Sequence, residues 1–261
     1  MILTPSLFQV SLAFFFLIVT LLILRMRKIN REKELIVASL RMTLQLILTG
    51  YVLIYLFENP HPLLSLAVIF LMTVFAIRNI YARVQLPLSR SLKRIIAFSM
   101  ASGSIFTVFF FILLVLGVKP WFDPQYLIPI GGMLIGNAMT GISLGVTRLS
   151  AGMEDNRHII ETALMLGATP RAATKEIVDH AFDSAILPTI NSMVGMGIVF
   201  LPGMMTGQIL SGISPITAIE YQLIIMLGIL GSVSITTILF VELGYKTFFN
   251  KDQQLIFSPT D

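Results

Sequence analysis

The sequence predicts an all-α fold: a polytopic membrane helix bundle of about seven transmembrane helices, with a cytoplasmic amphipathic helix pair. Of its 261 residues, 56% are hydrophobic and only 12% are charged, whereas soluble domains carry about 25% charged residues. Several apolar stretches reach the ~20 residues needed to cross a hydrocarbon core of about 30 Å. Basic residues gather in alternate connecting segments, a pattern typical of multi-pass membrane proteins.

Seven apolar segments are long enough to span a bilayer. They are residues 7–24, 35–57, 63–80, 95–118, 126–147, 186–210 and 216–243. Sixteen of the 18 Lys and Arg residues fall on one side of this arrangement, only Lys119 falls on the other, and Arg41 lies inside the second span. The positive-inside rule therefore places the N-terminus outside and the C-terminus in the cytoplasm. We expect one transmembrane domain over residues 1–261.

The first four spans have the composition of lipid-facing or packing helices. The phenylalanine runs 14–16 and 109–111 show no helical period and indicate bulk packing or lipid contact. Arg41 and Gln45 are polar exceptions one turn apart. Because Arg41 lies roughly two turns from the cytoplasmic end, its side chain can extend to the membrane interface, although a role in a transport path is the alternative.

Spans five and six concentrate glycine, proline and amide residues. Three pairs of glycines have the small-xxx-small spacing that lets membrane helices pack closely. They are Gly132 and Gly136, Gly141 and Gly145, and Gly203 and Gly207. Pro188 and Pro202 in span six free backbone groups that only protein or a hydrated cavity can satisfy. Two interpretations remain open: a static helix pair joined by polar groups, or the moving, partly hydrated centre of a transporter.

The candidate transport-path residues are oxygen-bearing side chains in spans five to seven. They are Asn137, Thr140, Gln208 and Glu220. A carboxylate within a membrane span indicates function, but Glu220 lies only about one turn inside and can equally be solvated at the interface. Methionines also gather in spans five and six, and without neighbouring His or Cys ligands they favour packing over Cu(I) binding.

Residues 148–185 predict a helix, a tight turn and a second helix at the cytoplasmic face, because apolar residues recur at helical spacing on both sides of a break. Gly167 suits the left-handed position after a helix, Thr169 can cap the next helix, and Pro170 fits its first turn. Glu161 and Arg171 flank this exposed turn. The turn is a candidate docking element for a soluble protein; a surface helix pair without a partner is the alternative.

The order Glu161-Thr162-Ala163, then Gly167 and Ile177, resembles the EAA-loop signature of ABC-importer permeases, although Asp179-His180 stands where that signature has Leu-Pro. A wider stretch, from GNAMTGISLGVTRLSAGMEDNRHIIETALMLGAT to VGMGIVFLPGMMTGQILSGISPITAIEYQ, is similar to the FetB-type permease family of iron-export ABC transporters. The similarity extends over nearly the whole chain.

The resemblance implies a permease of the bacterial cytoplasmic membrane that pairs with a separate cytosolic ATPase. Two permeases, forming a homodimer, and two ATPases would make one transporter. It implies a coupling role for Glu161, Ala163, Gly167, Pro170 and Arg171. It also implies that ATP and Mg²⁺ bind to the ATPase, so that this chain needs no cofactor of its own.

Motif searches exclude several kinds of catalysis. The sequence has no G-x-x-x-x-G-K-[ST] phosphate loop, no H-E-x-x-H and no G-x-S-x-G. With no cysteine it has no disulfide or thiolate metal site. We therefore expect a transport subunit and not an enzyme, embedded in lipid and without a nucleic-acid partner. The alternatives are an ABC-associated permease for lipid or envelope components and a stand-alone secondary transporter.

Overall fold

The computed structural model describes residues 6–84 and 88–256. Six segments of it are helical, long and apolar enough to cross a membrane: Phe8–Met26, Glu32–Glu58, Pro62–Arg83, Arg90–Val115, Pro124–Asp155 and Pro215–Phe248. The predicted polytopic all-α membrane fold is therefore confirmed. The chain divides into two compact units, Met1–Asn59 and Pro60–Asp261, which are described in turn.

The first unit contains α1 (Leu7–Ala13), α2 (Phe15–Met26) and α3 (Glu32–Glu58). A reciprocal capping box between Ser6 and Gln9 begins α1, and α2 follows after a single residue. Most apolar side chains of α2 and α3 are exposed, which suits helices surrounded by lipid or by protein within a bilayer. Arg41 lies on the exposed surface of α3, so its interfacial role stays a prediction.

The second unit is built around one long helix, α6. Its helices are α4 (Pro62–Arg83), α5 (Arg90–Phe110), α6 (Pro124–Asp155), α7 (Arg157–Met165), α8 (Pro170–Gly195), α9 (Gly203–Leu210) and α10 (Pro215–Gly244). Proline is the first residue of α4, α6, α8 and α10, a position where its missing N–H leaves no hydrogen bond unmade. Helix α6 contacts α4, α5, α8 and α10 and so forms the centre of the unit.

A buried polar contact fixes three of these helices against one another. Thr107 Oγ1 on α5 donates to Ser232 Oγ on α10 at 3.1 Å, and Ser232 donates to the Leu134 carbonyl of α6 at 3.3 Å. All three residues are buried. Because an unpaired hydroxyl in an apolar interior is costly, these bonds favour a single alignment of α5, α6 and α10.

The bounds of the predicted cytoplasmic insert, residues 148–185, do not coincide with helix ends and stay a prediction. Helix α6 continues past residue 148 to Asp155. Helix α8 runs without interruption from Pro170 to Gly195, past residue 185. The rise in hydropathy near residue 186 marks a change of surroundings and not the end of a helix. One helix therefore joins the insert to the predicted sixth span.

The predicted sixth span, residues 186–210, is not one continuous helix. Helix α8 ends at Gly195, Gly197 takes a φ of +84°, and Pro202 precedes the short helix α9. Glycine with positive φ followed by proline ends helical geometry. The count of seven spans and the orientation of the termini therefore stay predictions.

Candidate functional site

The turn between α7 and α8 has the local conformation that its sequence predicts. Gly167 has a φ of +92°. The N–H groups of Gly167 and Ala168 donate to carbonyls of the last turn of α7 at 2.9 and 3.0 Å, which is a Schellman C-cap. Thr169 Oγ1 then caps α8, whose first residue is Pro170. Backbone hydrogen bonds and a side-chain cap thus fix the turn from both sides.

All of the predicted coupling residues lie in or beside this turn. They are Glu161, Ala163, Gly167, Pro170 and Arg171. Glu161 Oε1 accepts a hydrogen bond from Arg157 Nε at 2.7 Å. Arg171 Nη2 lies 3.5 Å from Glu242 Oε1 of α10, and the Ala163 carbonyl accepts the Ala168 N–H. Their geometry suits a docking element; their coupling role stays a prediction.

Two apolar side chains project from the end of α7. Met165 is 81% exposed and Leu166 is 84% exposed. Adjacent, highly exposed apolar side chains at a predicted cytoplasmic turn make this position a candidate contact surface. Sequence reasoning missed both residues, because in so apolar a chain a Met-Leu pair carries no signal.

A salt bridge lies on the first turns of α8. Lys175 Nζ donates to Asp179 Oδ2 at 2.9 Å. This hydrogen bond, together with the Asp179 charge, raises the pKa of Lys175 above its ordinary value. Lysine is already protonated at neutral pH, and the raised pKa keeps this positive charge beside the α7–α8 turn to a higher pH.

Helices α6 and α8 enclose a small cleft at the proline of α8. Asn137, Thr140, Pro188, Thr189 and Ser192 supply much of its lining, and its volume is about 90 Å³. Asn137 Nδ2 donates to the Met133 carbonyl at 2.8 Å, which leaves its Oδ1 available to a ligand. Sequence reasoning had identified Asn137, Thr140 and Pro188 but missed Thr189 and Ser192, which lie one and four residues after the proline.

The four candidate path residues do not form a single site within the chain. Asn137 and Thr140 line the cleft. Gln208 lies on α9 with a buried Oε1 that accepts no hydrogen bond, and Glu220 is exposed on α10. Among the described residues, no three His, Cys, Asp or Glu side chains are grouped as metal ligands.

The predicted packing glycines make no close helix contact within the chain. A Cβ built on Gly136, Gly203 or Gly207 would have no side chain or neighbouring backbone within 4 Å. A Cβ built on Gly132 would have Met72 Cε as its nearest neighbour, at 3.8 Å. Close packing at these four glycines therefore stays a prediction. Gly141, which has the same small-residue spacing with Gly145, does make a close contact within the chain, since its Cβ would lie 2.7 Å from Val233 Cγ1. Small-residue spacing therefore included the contact glycine but could not single it out.

A second pocket, of about 380 Å³, adjoins the break between α8 and α9. Four methionines line it: Met193, Met196, Met205 and Met226. Sequence reasoning grouped the first three of these as packing residues and did not include Met226. The amide of Gln222, which is 7% exposed, supplies the polar part of a lining that is otherwise apolar.

Comparison with known proteins agrees with this architecture. The model of the Uncharacterised protein family UPF0014 matches residues 7–249. The UPF0014 membrane protein YjkA of Bacillus subtilis is 36% identical over 247 residues, covering 95% of this chain and 97% of YjkA. The Probable iron export permease protein FetB of Escherichia coli is 32% identical over 248 residues, covering 95% of this chain and 94% of FetB.

A plant protein is also similar. Protein ALUMINUM SENSITIVE 3 of Arabidopsis thaliana is 34% identical over 230 residues, covering 88% of this chain and 82% of the plant protein. No solved structure matches the chain. The family match spans almost every helix described above and agrees with the predicted FetB-type resemblance. This multi-pass membrane protein therefore belongs to the UPF0014 family, whose members include a probable iron export permease.

Proposed function

We propose that this chain is the permease subunit of an ABC transporter that exports iron, or another metal, from the cytoplasm. The observation that carries the proposal is the continuity of α8. This helix begins at the exposed α7–α8 turn and passes the cleft at Pro188 before it ends at Gly195. Pro170 and Pro188 are 18 residues apart in the helix, or about 27 Å at ~1.5 Å per residue. A displacement of the turn is thereby transmitted to the cleft.

The cleft supplies the polar surface that a transport path requires at membrane depth. Asn137 and Thr140 are exposed on α6, although side chains facing lipid are normally apolar. Amide and hydroxyl oxygens suit hard cations. The name of the Escherichia coli relative refers to iron export and that of the Arabidopsis relative to aluminium, which supports a metal cargo.

One permease copy offers only one wall of such a path. The exposed side of α6 and α8 leaves Asn137 and Thr140 uncovered, and a second copy facing it would enclose the polar groups. We therefore propose a homodimer, each copy a single permease domain over residues 1–261 with its C-terminus in the cytoplasm. The partner ATPase would bind ATP and Mg²⁺ and move the α7–α8 turns as its subunits close.

The proposal is tested by the ATPase activity of the chain co-purified with an ABC ATPase of the same organism. The complex in lipid nanodiscs is titrated with Fe(II), with other divalent metals and with lipids. Stimulation by metal supports the export function. Coupled activity that ignores metals would retain the permease and refute the cargo, and failure to form any complex would refute the ABC assignment.

A lipid or envelope component is the second candidate cargo. The methionine-lined pocket of about 380 Å³ favours it, because flexible thioethers adapt to varied apolar ligands. In the same titration, stimulation by lipids and not by Fe(II) selects this alternative.

A further inference from the structure

The residues that follow α10 form a second fixed element beside the α7–α8 turn. Asn250 Oδ1 accepts hydrogen bonds from the N–H groups of Asp252 and Gln254 at 2.9 and 2.8 Å. Phe249 and Leu255 form an antiparallel bridge, and both pack against the hydrophobic core. We define residues 252–255 as the C-terminal wall, because these contacts hold them in one position.

A groove of about 580 Å³ separates the C-terminal wall from the end of α7. Its other side consists of Glu161, Leu164, Met165, Gly167 and Ala168. Apart from Glu161, the groove is therefore apolar on the α7 side, and it is mostly polar on the C-terminal side. It adjoins Leu166, the most exposed apolar side chain of the docking turn.

We infer that this groove receives a segment of the partner ATPase that presents an apolar side chain next to a Lys or Arg. The inference rests on the proposed function and extends its docking surface from the α7–α8 turn to the C-terminus of the chain. Leu164 and Met165 supply the apolar contact. Asp252 forms no ion pair among the described residues, whereas Glu161 is bonded to Arg157, so the groove contains a carboxylate that a cation can neutralise.

Charge complementarity distinguishes this occupant from the chain's own final residues. The position of the groove beside the α7–α8 turn favours the ATPase over a second copy of the chain. The chain's final residues, 257–261, lie outside the described residues and contain one Asp and no Lys or Arg. A basic segment of another subunit is therefore the best match to the groove.

Single cysteines test the contact directly, because the chain contains none of its own. Met165→Cys and Gln253→Cys are placed on opposite sides of the groove, and the permease–ATPase complex is treated with a maleimide–succinimidyl ester reagent that joins a thiol to a lysine. Both variants should cross-link to the ATPase. Gln125→Cys is the matched control, since Gln125 is exposed at the other end of α6, and it should give no cross-link to the ATPase.

The charge is tested by measuring ATPase affinity for the permease in nanodiscs. Asp252→Lys should weaken binding by about fivefold, the equivalent of ~1 kcal/mol for an exposed ion pair, and by less at high salt because the contact is screened. Asp252→Glu keeps the charge and should retain the affinity. Unchanged affinity in Asp252→Lys would overturn the inference.

The cross-linking results separate this inference from the proposed function. Cross-links from Met165→Cys without any from Gln253→Cys would leave the docking turn in place and overturn the role of the C-terminal wall. Failure of both would overturn the ATPase docking role of the turn and the inference with it. Cross-links from Gln253→Cys to a second permease, or tighter ATPase binding after deletion of residues 257–261, would identify another occupant and overturn the inference.

Discussion

Gly167 offers the sharpest test of the docking role of the α7–α8 turn. Its φ is +92°, and no side chain or neighbouring backbone lies within 4 Å of the place where a Cβ would stand. A substitution therefore adds backbone strain without a steric clash. The strain amounts to about 1–2 kcal/mol for an ordinary L-residue, is less for Asn, which tolerates this region, and is greater for a β-branched residue.

We expect ATPase affinity and coupling to fall in the order Gly, Asn, Ala and Val at position 167. A strain of 1–2 kcal/mol shifts the balance between the native turn and a relaxed one by about 5- to 30-fold. The melting temperature should change little, because the turn is exposed and lies outside the core. Binding of the ATPase in nanodiscs and metal transported per ATP hydrolysed in proteoliposomes measure the two effects.

Gly117 provides the matched control. Its φ is +61°, and no other side chain or neighbouring backbone lies within 4 Å of the place where its Cβ would stand. Unlike Gly167, it precedes α6 and lies far along the chain from the α7–α8 turn. Gly117→Val should therefore leave ATPase affinity unchanged. Native affinity and coupling in Gly167→Val would refute the docking role, and equal losses in both variants would attribute the effect to folding.

Three further predictions concern the membrane helices. Asn137→Leu should reduce metal stimulation of the ATPase by about tenfold, the effect of losing ~1.4 kcal/mol of binding; an unaltered metal titration curve would remove Asn137 from the path. Gly141→Leu should destabilise the fold by about 1–3 kcal/mol through overpacking and lower the melting temperature, whereas Gly136→Leu should change the melting temperature of the monomer little. A larger drop in melting temperature for Gly136→Leu than for Gly141→Leu would contradict the observed helix packing. Glu220→Gln should lower metal efflux from proteoliposomes, and equal efflux would make Glu220 an interfacial residue.

Local features of the turn were predictable because they depend on neighbouring residues alone. Gly167, Thr169 and Pro170 take the left-handed, capping and first-helical positions that short-range hydrogen bonding and backbone sterics require. Likewise, the apolar stripes predicted for the two helices of the insert supply buried residues, which are Ile160 on α7 and Val178, Ala181 and Ala185 on α8. Helical periodicity specifies which side chains share a face.

Segment boundaries and packing partners were less predictable. Hydropathy reports the medium around a helix, so it gave no sign that α8 continues through residues 185 and 186. Spacing of small residues likewise cannot say which face meets a neighbour, and the close contact occurs at Gly141 and not at Gly136. Such contacts depend on helix rotation, which distant residues set.

The sequence by itself determined that this chain is a multi-pass helical membrane protein with a rigid turn, because composition, charge placement and capping are properties of single segments. Only the tertiary structure decided that α8 connects that turn to the cleft at Pro188. It alone separated Gln208 and Glu220 from Asn137, and it alone placed residues 252–255 beside the end of α7. These arrangements bring together residues that are far apart in the chain. They result from the packing of whole helices, which no single segment of the sequence specifies.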